Sequence, residues 1–516
     1  MFAAGQKEMQ QMDQYTIEKL GLPGVVLMEN AGARVVEEVL TCKPCECPRI
    51  LVLAGGGNNG GDGFVIARRL VDLGFEIQLC LMVHPNKLKG DAKIHFDVYS
   101  NRSLPLFYLQ EHTKAELQTE IERADIIIDA ILGTGVSGPV RAPLDLVISL
   151  VNEIAVDKLI ISVDIPSGVD SDTGKVVGEA IKADKTVTFV FPKKGFFLQE
   201  GPKYVGDWKA VDISVPPAIA NNLALDLPEV MTKKRVQTAL PVRSQQGHKG
   251  TFGHALVLGG SRQFVGAPIF SAKAAVCSGA GLVTLAVPES IYPLAAVQNP
   301  ESLFLPLSEL DGHFSEAGLT ELAIRLPEFD SIAIGPGLGR FPRGEEWLKA
   351  FFKLLSNQPV VVDADALYLL RNSLEIVCSY KGDVIFTPHP GEMARLIGCT
   401  VREVEADRLG VARKFAREHS VYLLLKGHRS IIAAPDGKVI INPFGHDALG
   451  KGGSGDVLTG LIASFLAQGA APMEAIIAAS YLHARSGEEK AKLLSHYGVT
   501  PMDIIDGVRK LLNQMI

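Results

Sequence analysis

Apolar and polar positions follow one repeated format along most of this chain: a short aliphatic run, a polar loop rich in glycine, then apolar residues at three- to four-residue spacing. Two helices precede the first such unit. Gln6 to Leu20 carries Met9, Met12, Ile17 and Leu20 at helical spacing, and a second helix is expected from about Val25 through Leu40, after Gly21 and Pro23. Ile50 to Ala54 then predicts a buried strand that enters Gly55-Gly-Gly-Asn-Asn-Gly-Gly-Asp-Gly63, followed by a helix from about Phe64 to Leu73. Strands are predicted again at Asp125 to Asp129, Leu159 to Val163 and Thr186 to Phe191. They lead into Gly133-Thr-Gly-Val-Ser-Gly-Pro139, Asp164-Ile-Pro-Ser-Gly168 and Lys193-Lys-Gly195. Near-continuous aliphatic runs are what parallel strands buried on both faces require.

Pro216-Pro217 ends the last strand-like segment, and Ala218 to Pro228 shows neither strand alternation nor a core pattern. The boundary is expected near Leu225, giving domains 1–224 and 225–516. The format resumes at Ala255 to Leu258 with Gly259-Gly-Ser261 and an apolar helix to Ser278. It returns at Gly281 to Val287, Ile332 to Gly339, Val360 to Leu367, Val384 to Glu392 and Val421 to Gly427, before a hairpin-like Ile431 to Ile441. The two halves share no long internal repeat, which favours fusion over duplication.

Composition narrows the class. At 516 residues the chain exceeds one ordinary core, and 47% hydrophobic residues, 51 glycines and 7% aromatics suit an α/β enzyme with many strand-to-helix turns. A net charge of −7 gives no reason to expect a nucleic-acid surface. Met1 to Gln14 lacks the order of a secretory signal, no run reaches membrane-span length, and the expected location is cytoplasmic. Seven cysteines at this length do not make a disulfide framework; Cys42, Cys45 and Cys47 are expected to be reduced thiols in a loop, for want of a fourth metal ligand.

Two stretches carry chemistry. Strand, glycine loop and helix around Gly55 to Gly63 is the layout of a phosphate or dinucleotide site in a doubly wound sheet, without the spacing of the common dinucleotide fingerprint or a phosphate-loop lysine. Loops at the carboxyl ends of parallel strands share one edge, so the later loops converge on the same crevice. There Asn59, Asp129 and Ser167 are all oxygen donors, which suits a hard, weakly held cation better than zinc. The second stretch is Gly452-Gly-Ser-Gly-Asp456, placed before the helical run Val457, Leu458, Leu461, Ile462, Phe465 and Leu466. Unpaired amides at a helix N-terminus favour an anion, and glycine lets a phosphate approach. A carboxylate there is either a helix cap, a metal ligand or a base for the attacking group. His389, fixed between two prolines, suggests a held contact, whereas Asp363 and Asp365 have a ready explanation as helix caps and Lys426 as a solvated lysine.

Leu27-Met-Glu-Asn-Ala-Gly32, Gly57 to Gly63, Asp129-Ala-Ile-Leu-Gly-Thr-Gly135 and Asp164 to Gly168 together resemble the NAD(P)H-hydrate epimerase family, the YjeF N-terminal domain, over about Gln10 to Val215. The resemblance implies a Rossmann-like fold that interconverts the two C6 epimers of hydrated NADH or NADPH. The implied substrate contacts are Asn58, Asn59, Gly60, Gly61 and Asp62; Gly133, Thr134, Gly135, Val136, Ser137, Gly138 and Pro139; and Asp164. A potassium ion is implied at Asn59, Asp129 and Ser167. Inversion at C6 needs a proton shuttle, for which Asp164 is the first candidate and Asp62 the alternative.

Gly335-Pro-Gly-Leu-Gly339, Asp363-Ala-Asp365, Thr387 to Glu392, Lys426-Gly427 and Gly452 to Asp456 resemble the ADP/ATP-dependent NAD(P)H-hydrate dehydratases, a branch of the ribokinase-like α/β fold, over about Arg235 to Leu494. The implied hydrate contacts are Gly337, His389, Pro390, Gly391, Glu392, Arg395 and Asp456. Nucleotide, ADP or ATP with Mg²⁺, is implied near Lys426, Gly427, His428, Arg429 and Ser430 and along His446 to Gly455, including Gly452, Gly453, Ser454 and Gly455. Asp456 takes the general-base position, and the chain as a whole resembles the bifunctional repair enzymes. One departure is Gly445-His-Asp-Ala-Leu-Gly-Lys451, which replaces a common Gly-Asn-Pro-Gly-Met-Ala-Thr; Lys451 would add charge to the phosphate site. Partners are expected to be the hydrated dinucleotides and the nucleotide, in a homo-oligomer without nucleic acid or membrane. A conventional kinase fused to a binding domain would instead release a stable phosphorylated product, and a sensor would bind without turnover.

Overall fold

The computed structural model describes residues 1–135 and 138–515. The chain divides into two compact units, Met1–Pro228 and Glu229–Ile516.

The first unit is built on a seven-stranded sheet whose order is Leu106–Tyr108, Glu76–Leu81, Arg49–Ala54, Ile126–Ala130, Leu159–Val163, Lys185–Phe189 and Asp207–Val211, every pairing being parallel. Chain direction across the sheet reverses between Arg49–Ala54 and Ile126–Ala130, the switch point at which open α/β sheets leave a crevice. Both faces of these strands are covered. Ile50 and Val52 pack into one core with Val35, Val39, Phe64 and Leu70, while Leu51 and Leu53 point the other way, against Ile127, Ile148 and Val151. Burying each such side chain contributes about 1.5–3 kcal/mol, so strands without a polar face are stabilised only in a sheet covered on both sides.

The second unit orders ten strands as Leu303–Leu307, Leu282–Pro288, His254–Leu258, Ser331–Ile334, Val360–Val362, Val384–Phe386, Tyr422–Leu425, Ile431–Ala433, Val439–Ile441 and Glu229–Val230. The first seven are parallel; Ile431–Ala433 and Val439–Ile441 turn back as an antiparallel pair, and Glu229–Val230 closes that edge. The doubly wound α/β class expected for both halves is therefore present in each. The helix Ser454–Ala467 is buried along its whole length from Val457 and lies against the helix Gly266–Cys277. A Cβ on Gly460 would stand 2.0 Å from the Ser271 carbonyl oxygen, so glycine permits that approach.

Two expectations change. The helix placed at Phe64 begins at Asn58, so the asparagines and glycines of the loop form its first turn. The segment 218–228 contains a short helix, Ile219–Asn222. No helix among the described residues is long and apolar enough to cross a membrane.

Candidate active sites

In the first unit the ends of Arg49–Ala54, Ile126–Ala130 and Leu159–Val163 open on a cavity of about 490 Å³. Of the predicted residues, Asn58, Asn59, Asp62, Gly133, Thr134, Gly135 and Asp164 line it. Gly60 and Gly61 do not. A Cβ on Gly60 would meet the Gly55 carbonyl oxygen at 2.0 Å, and one on Gly61 would meet Met28 Sδ at 2.4 Å, so these glycines seat the helix start against its neighbours. Gly138 lines a smaller adjoining cavity with Gly133, Gly168 and Asp170, and Pro139 is exposed. Val136 and Ser137 lie outside the described residues.

Asp164 follows its strand with φ of 63°, a left-handed conformation that a non-glycine residue adopts at a cost of the order of 1–3 kcal/mol. Its Oδ1 accepts hydrogen bonds from Lys193 Nζ at 2.6 Å, Thr188 Oγ1 at 3.1 Å and the Phe189 amide at 3.1 Å. Lys193 is 1% exposed, a buried cation whose charge this carboxylate balances. Its only signal in the sequence was its position at a strand end among the converging loops. Three further carboxylates, Asp62, Asp13 and Asp91, line the cavity. Burial, then the charges of Asp164 and Asp13, raise Asp62 well above the usual carboxylate range. Asp13, on the helix Gln6–Glu18, is pushed up to about 6 by burial and by Asp164, with Lys193 opposing.

Asn59, Asp129 and Ser167 do converge. The Asp129 carboxylate, fully buried, accepts from Ser162 Oγ at 2.7 Å, the Ser167 amide at 2.9 Å, Ser167 Oγ at 2.5 Å and the Ile131 amide at 3.3 Å. Asn59 donates through Nδ2 to the Leu132 carbonyl at 2.9 Å, leaving its own carbonyl oxygen free, and Ser167 Oγ lies 3.2 Å from that same Leu132 oxygen. An all-oxygen set with a single buried negative charge fits a monovalent hard cation.

In the second unit a cavity of about 730 Å³ gathers Asp363, His389, Glu392, Lys426, Gly427, His428, Ser430 and Gly452 through Asp456. This volume is in the range of small-molecule sites. The helix Ser454–Ala467 starts at Ser454 after Gly453, whose φ of 93° suits glycine, and Asp456 is its third residue and not its cap. Ser271 Oγ donates to the Asp456 carbonyl at 2.7 Å and so fixes that first turn. His483 Nε2 lies 2.9 Å from the Ser454 carbonyl oxygen, which can only accept, and therefore carries the proton; burial lowers this imidazole to about 4 and keeps it neutral. Nothing in the helical pattern around His483 singled it out.

Asp363, expected as a cap, is instead the centre of a buried network. Its Oδ1 accepts from Lys426 Nζ at 2.8 Å and its Oδ2 from Thr459 Oγ1 at 2.6 Å; the helix that follows is entered through Ala364. Burial would raise the Asp363 carboxyl, but Lys426 and the hydrogen bonds outweigh it and hold it below the usual range. Burial likewise opposes the Lys426 charge, and Asp363 and Glu392 override it, so Lys426 is a paired ammonium and not a solvated one. The Asp456 carboxyl is pushed up to about 7, first by burial and then by Asp363, with Lys426 opposing. Asp365 anchors a neighbouring loop, its Oδ2 accepting from the Gly339 amide at 2.9 Å.

The remaining predicted contacts separate into scaffold and side pocket. His389 caps the helix Pro390–Ile397: its Nδ1 accepts from the Gly391 amide at 3.0 Å, while Glu392 Oε2 accepts from the His389 amide at 2.8 Å. Pro390 and Gly391 thus build the first turn. Arg395 lines a small side cavity with Arg340, Asp365 and Tyr368, which Glu392 also borders. Gly337 lines neither cavity; with φ of 65°, its missing Cβ would stand 2.7 Å from the Phe264 carbonyl oxygen. Arg429 is half-buried beside Ser430 and is not among the lining residues. In the departing loop, His446 and His496 place Nδ1 atoms 2.8 Å and 3.0 Å from Asp447 Oδ1, and Lys451 donates to the Tyr497 carbonyl. Lys451 thus ties this loop to the Tyr497 carbonyl while lining the same cavity as Gly452 to Gly455.

Two family models match the chain, one described as YjeF-related protein N-terminus over residues 24–195 and one as NAD(P)H-hydrate dehydratase over residues 255–510. A bifunctional NAD(P)H-hydrate repair enzyme Nnr from Moorella thermoacetica is 37% identical over 519 residues, covering 100% of this chain and 97% of that protein. Its counterpart from Thermofilum pendens is 34% identical over 518 residues, with coverage of 100% and 97%. Among solved structures, the ADP/ATP-dependent NAD(P)H-hydrate dehydratase from Bacillus subtilis, co-crystallised with ATP/Mg²⁺, is 31% identical, covers 57% of this chain and 100% of its own, and superposes with a TM-score of 0.49. With relatives above 30% identity matched over nearly their full length, the chain belongs to the family of bifunctional NAD(P)H-hydrate repair enzymes.

Proposed function

We propose that the chain repairs hydrated NADH and NADPH by two reactions, one in each unit. The Met1–Pro228 unit inverts the hydrate at C6, and the Glu229–Ile516 unit dehydrates the S epimer to the dihydronicotinamide at the expense of ADP or ATP. The observation that carries the reading is Asp456. A carboxyl pushed up to about 7 stands in the first turn of a glycine-led helix, beside the Lys426/Asp363 pair.

Hydroxide leaves C6 poorly. Asp456 accepts the proton of the C6 hydroxyl as that oxygen attacks the terminal phosphoryl group of the nucleotide; the resulting phosphate leaves as the ring nitrogen donates its electron pair, and loss of a proton from C5 to the departing phosphate returns that pair and closes the C5=C6 double bond. The products are NAD(P)H, orthophosphate and, with ADP, AMP. A general base whose pKa lies near the working pH is efficient in both its proton states. Amides of Gly452, Gly453, Ser454 and Gly455 and the Lys426 ammonium stabilise charge on the transferring group. Asp363 and Glu392 line the same cavity, and magnesium brought with the nucleotide phosphates would supply further neutralisation of that charge.

In the first unit, we propose that Asp164 and Asp62 are the carboxylates that face the reacting C6, with Asp62 in proton transfer. Asn59, Asp129 and Ser167 would hold a potassium ion, which supplies a fixed positive charge under the glycine loops. Two experiments in one test the reading: a mixture of both NADH hydrate epimers is supplied with ADP or ATP, Mg²⁺ and K⁺, and dihydronicotinamide absorbance is followed. Complete conversion requires both units. Conversion that stops when one epimer is exhausted removes the epimerase, and accumulation of a stable phosphorylated hydrate removes the dehydratase.

A further inference from the structure

Asp13 is absent from every motif that identifies the first unit, and it lies outside the span matched by the N-terminal family model. Yet the helix Gln6–Glu18 carries it to the wall of the 490 Å³ cavity, together with Gln10. Its Oδ1 is buried without a hydrogen-bond partner. A carboxylate oxygen left so is costly and calls for an explanation.

The groups that face Asp13 define what it can do. Asp62 comes from the helix Asn58–Asp72, Asp164 from the loop after Leu159–Val163, Lys193 from the loop after Lys185–Phe189, and Asp91 from the helix Gly90–Asn101 on the same cavity. Among the described residues, Lys193 is the one cation that acts on Asp13 in this cluster, and it is paired with Asp164 at 2.6 Å. Asp164 is therefore taken up as the counter-charge of this buried ammonium. Asp62 and Asp13 remain, without a counter-charge of their own.

We propose that Asp13 is a catalytic base of the unit 1 reaction and that Asp62 is its acid partner, with Asp164 facing the ring as a fixed anion. The inference rests on the epimerase reading above. In the step, Asp62 gives its proton to the C6 hydroxyl as the C6–O bond breaks, and the ring nitrogen pair closes the N1=C6 double bond. Water then adds to C6 from the opposite face and passes a proton to Asp13, leaving the inverted hydrate. A proton returned from Asp13 to Asp62 resets the site, so one water leaves and one enters. Environments that separate two carboxyls into acid and base serve this purpose in other hydrolytic sites. The lift of Asp13 to about 6 and the upward shift of Asp62 agree with the assignment.

The test uses the full chain and separated hydrate epimers without nucleotide, so that unit 2 consumes nothing. Asp13→Asn should lower kcat for epimerisation about 100-fold or more with KM nearly unchanged, the usual scale for loss of a general base. The wild-type fall in rate below about pH 6 should vanish from the residual activity, and Asp13→Glu should recover part of kcat. Dehydration of the single epimer by the same preparation, with nucleotide added, reports that the chain is folded. A variant with wild-type kcat and an unchanged pH profile overturns the proposal, as does a loss confined to KM or a melting temperature well below wild type. Absence of epimer interconversion in the wild-type chain would instead remove the underlying reading.

Discussion

Lys426 Nζ and Asp363 Oδ1 stand 2.8 Å apart in the second cavity, and both charges act on Asp456, along with Asp365 and Glu392. Asp363 repels a second negative charge while Lys426 attracts it. Their balance, together with burial, leaves the Asp456 carboxyl at about 7. Asp456→Asn keeps the size of the side chain and removes its ability to accept a proton. Dehydration should fall by about two to four orders of magnitude while nucleotide binding, read by calorimetry, stays within a few-fold of wild type. Epimer interconversion by the same variant should be unaffected. Wild-type dehydration by this variant would exclude Asp456 as the base.

The same carboxyl predicts two opposite pH trends. Dehydration needs the ionised base, so kcat should rise with pH and level off above about 7. Stability runs the other way. A carboxyl raised above its value of 3.8 holds its proton in the folded state where the unfolded chain has released it. Its contribution is fully present below about pH 4 and is lost as pH rises through about 7. Asp456→Asn should abolish that loss, so its stability relative to wild type should increase as pH rises from about 4 to about 7, measured by denaturant titration at fixed ionic strength.

Breaking the pair itself should be severe. Lys426→Met leaves Asp363 buried with only neutral hydroxyl donors such as Thr459 and Thr387 against its charge, and removing one partner of a buried pair costs about 3–5 kcal/mol. The unfolding midpoint of the second unit should drop accordingly. Adding Asp363→Asn should restore much of the stability and none of the dehydration, because no buried charge is then unpaired but the phosphate site still lacks its ammonium. A double variant as unstable as Lys426→Met alone would show that Lys426 acts through packing.

How far these sites were legible depended on what each residue does. Glycine loops at strand ends were readable because backbone approach and anion binding demand that residue type, and family motifs sit on them. The alternating faces of Ile50 to Ala54 were readable because both are apolar. Three things were hidden. Asn58 to Asp62 form helix, not loop, because glycine's low helical propensity is overridden where Gly60 and Gly61 must pack against Gly55 and Met28. Asp363 looked like a cap because its partner Lys426 is 63 residues away in the chain, and such a pairing is visible only once the sheet is assembled. Asp13 and His483 lie within helices whose patterns are dominated by packing, so their burial against polar neighbours left no local mark.

Helix packing at Gly60 yields a further expectation. Gly60→Ala forces a methyl to within 2.0 Å of a backbone oxygen that has no room to yield, while Gly57→Ala meets nothing within 4 Å. Overpacking of this kind costs about 1–3 kcal/mol and shifts the backbone it meets. Epimerisation should be lost or strongly reduced in Gly60→Ala and retained in Gly57→Ala, with dehydration intact in both. Equal epimerase activity in the two variants would mean that the glycine at position 60 is not needed to seat the helix.

Potassium should matter through Asp129. Its carboxylate is buried and accepts four hydrogen bonds, yet burial still raises it above the usual range, which is the condition a nearby cation would relieve. Replacing K⁺ by a bulky organic cation should slow epimerisation in the wild-type chain and leave dehydration of the single epimer unchanged on this account. Asp129→Asn retains the shape but removes the charge that attracts the ion, so its epimerisation should be slower and no longer respond to K⁺ concentration. Asn59→Ala, which removes a neutral oxygen and the hydrogen bond to Leu132, should weaken the response without abolishing it. A wild-type rate indifferent to K⁺ would remove the ion from the site and leave Asp129 as the hydrogen-bonded anchor between the loop at Ile131 and the turn at Ser167.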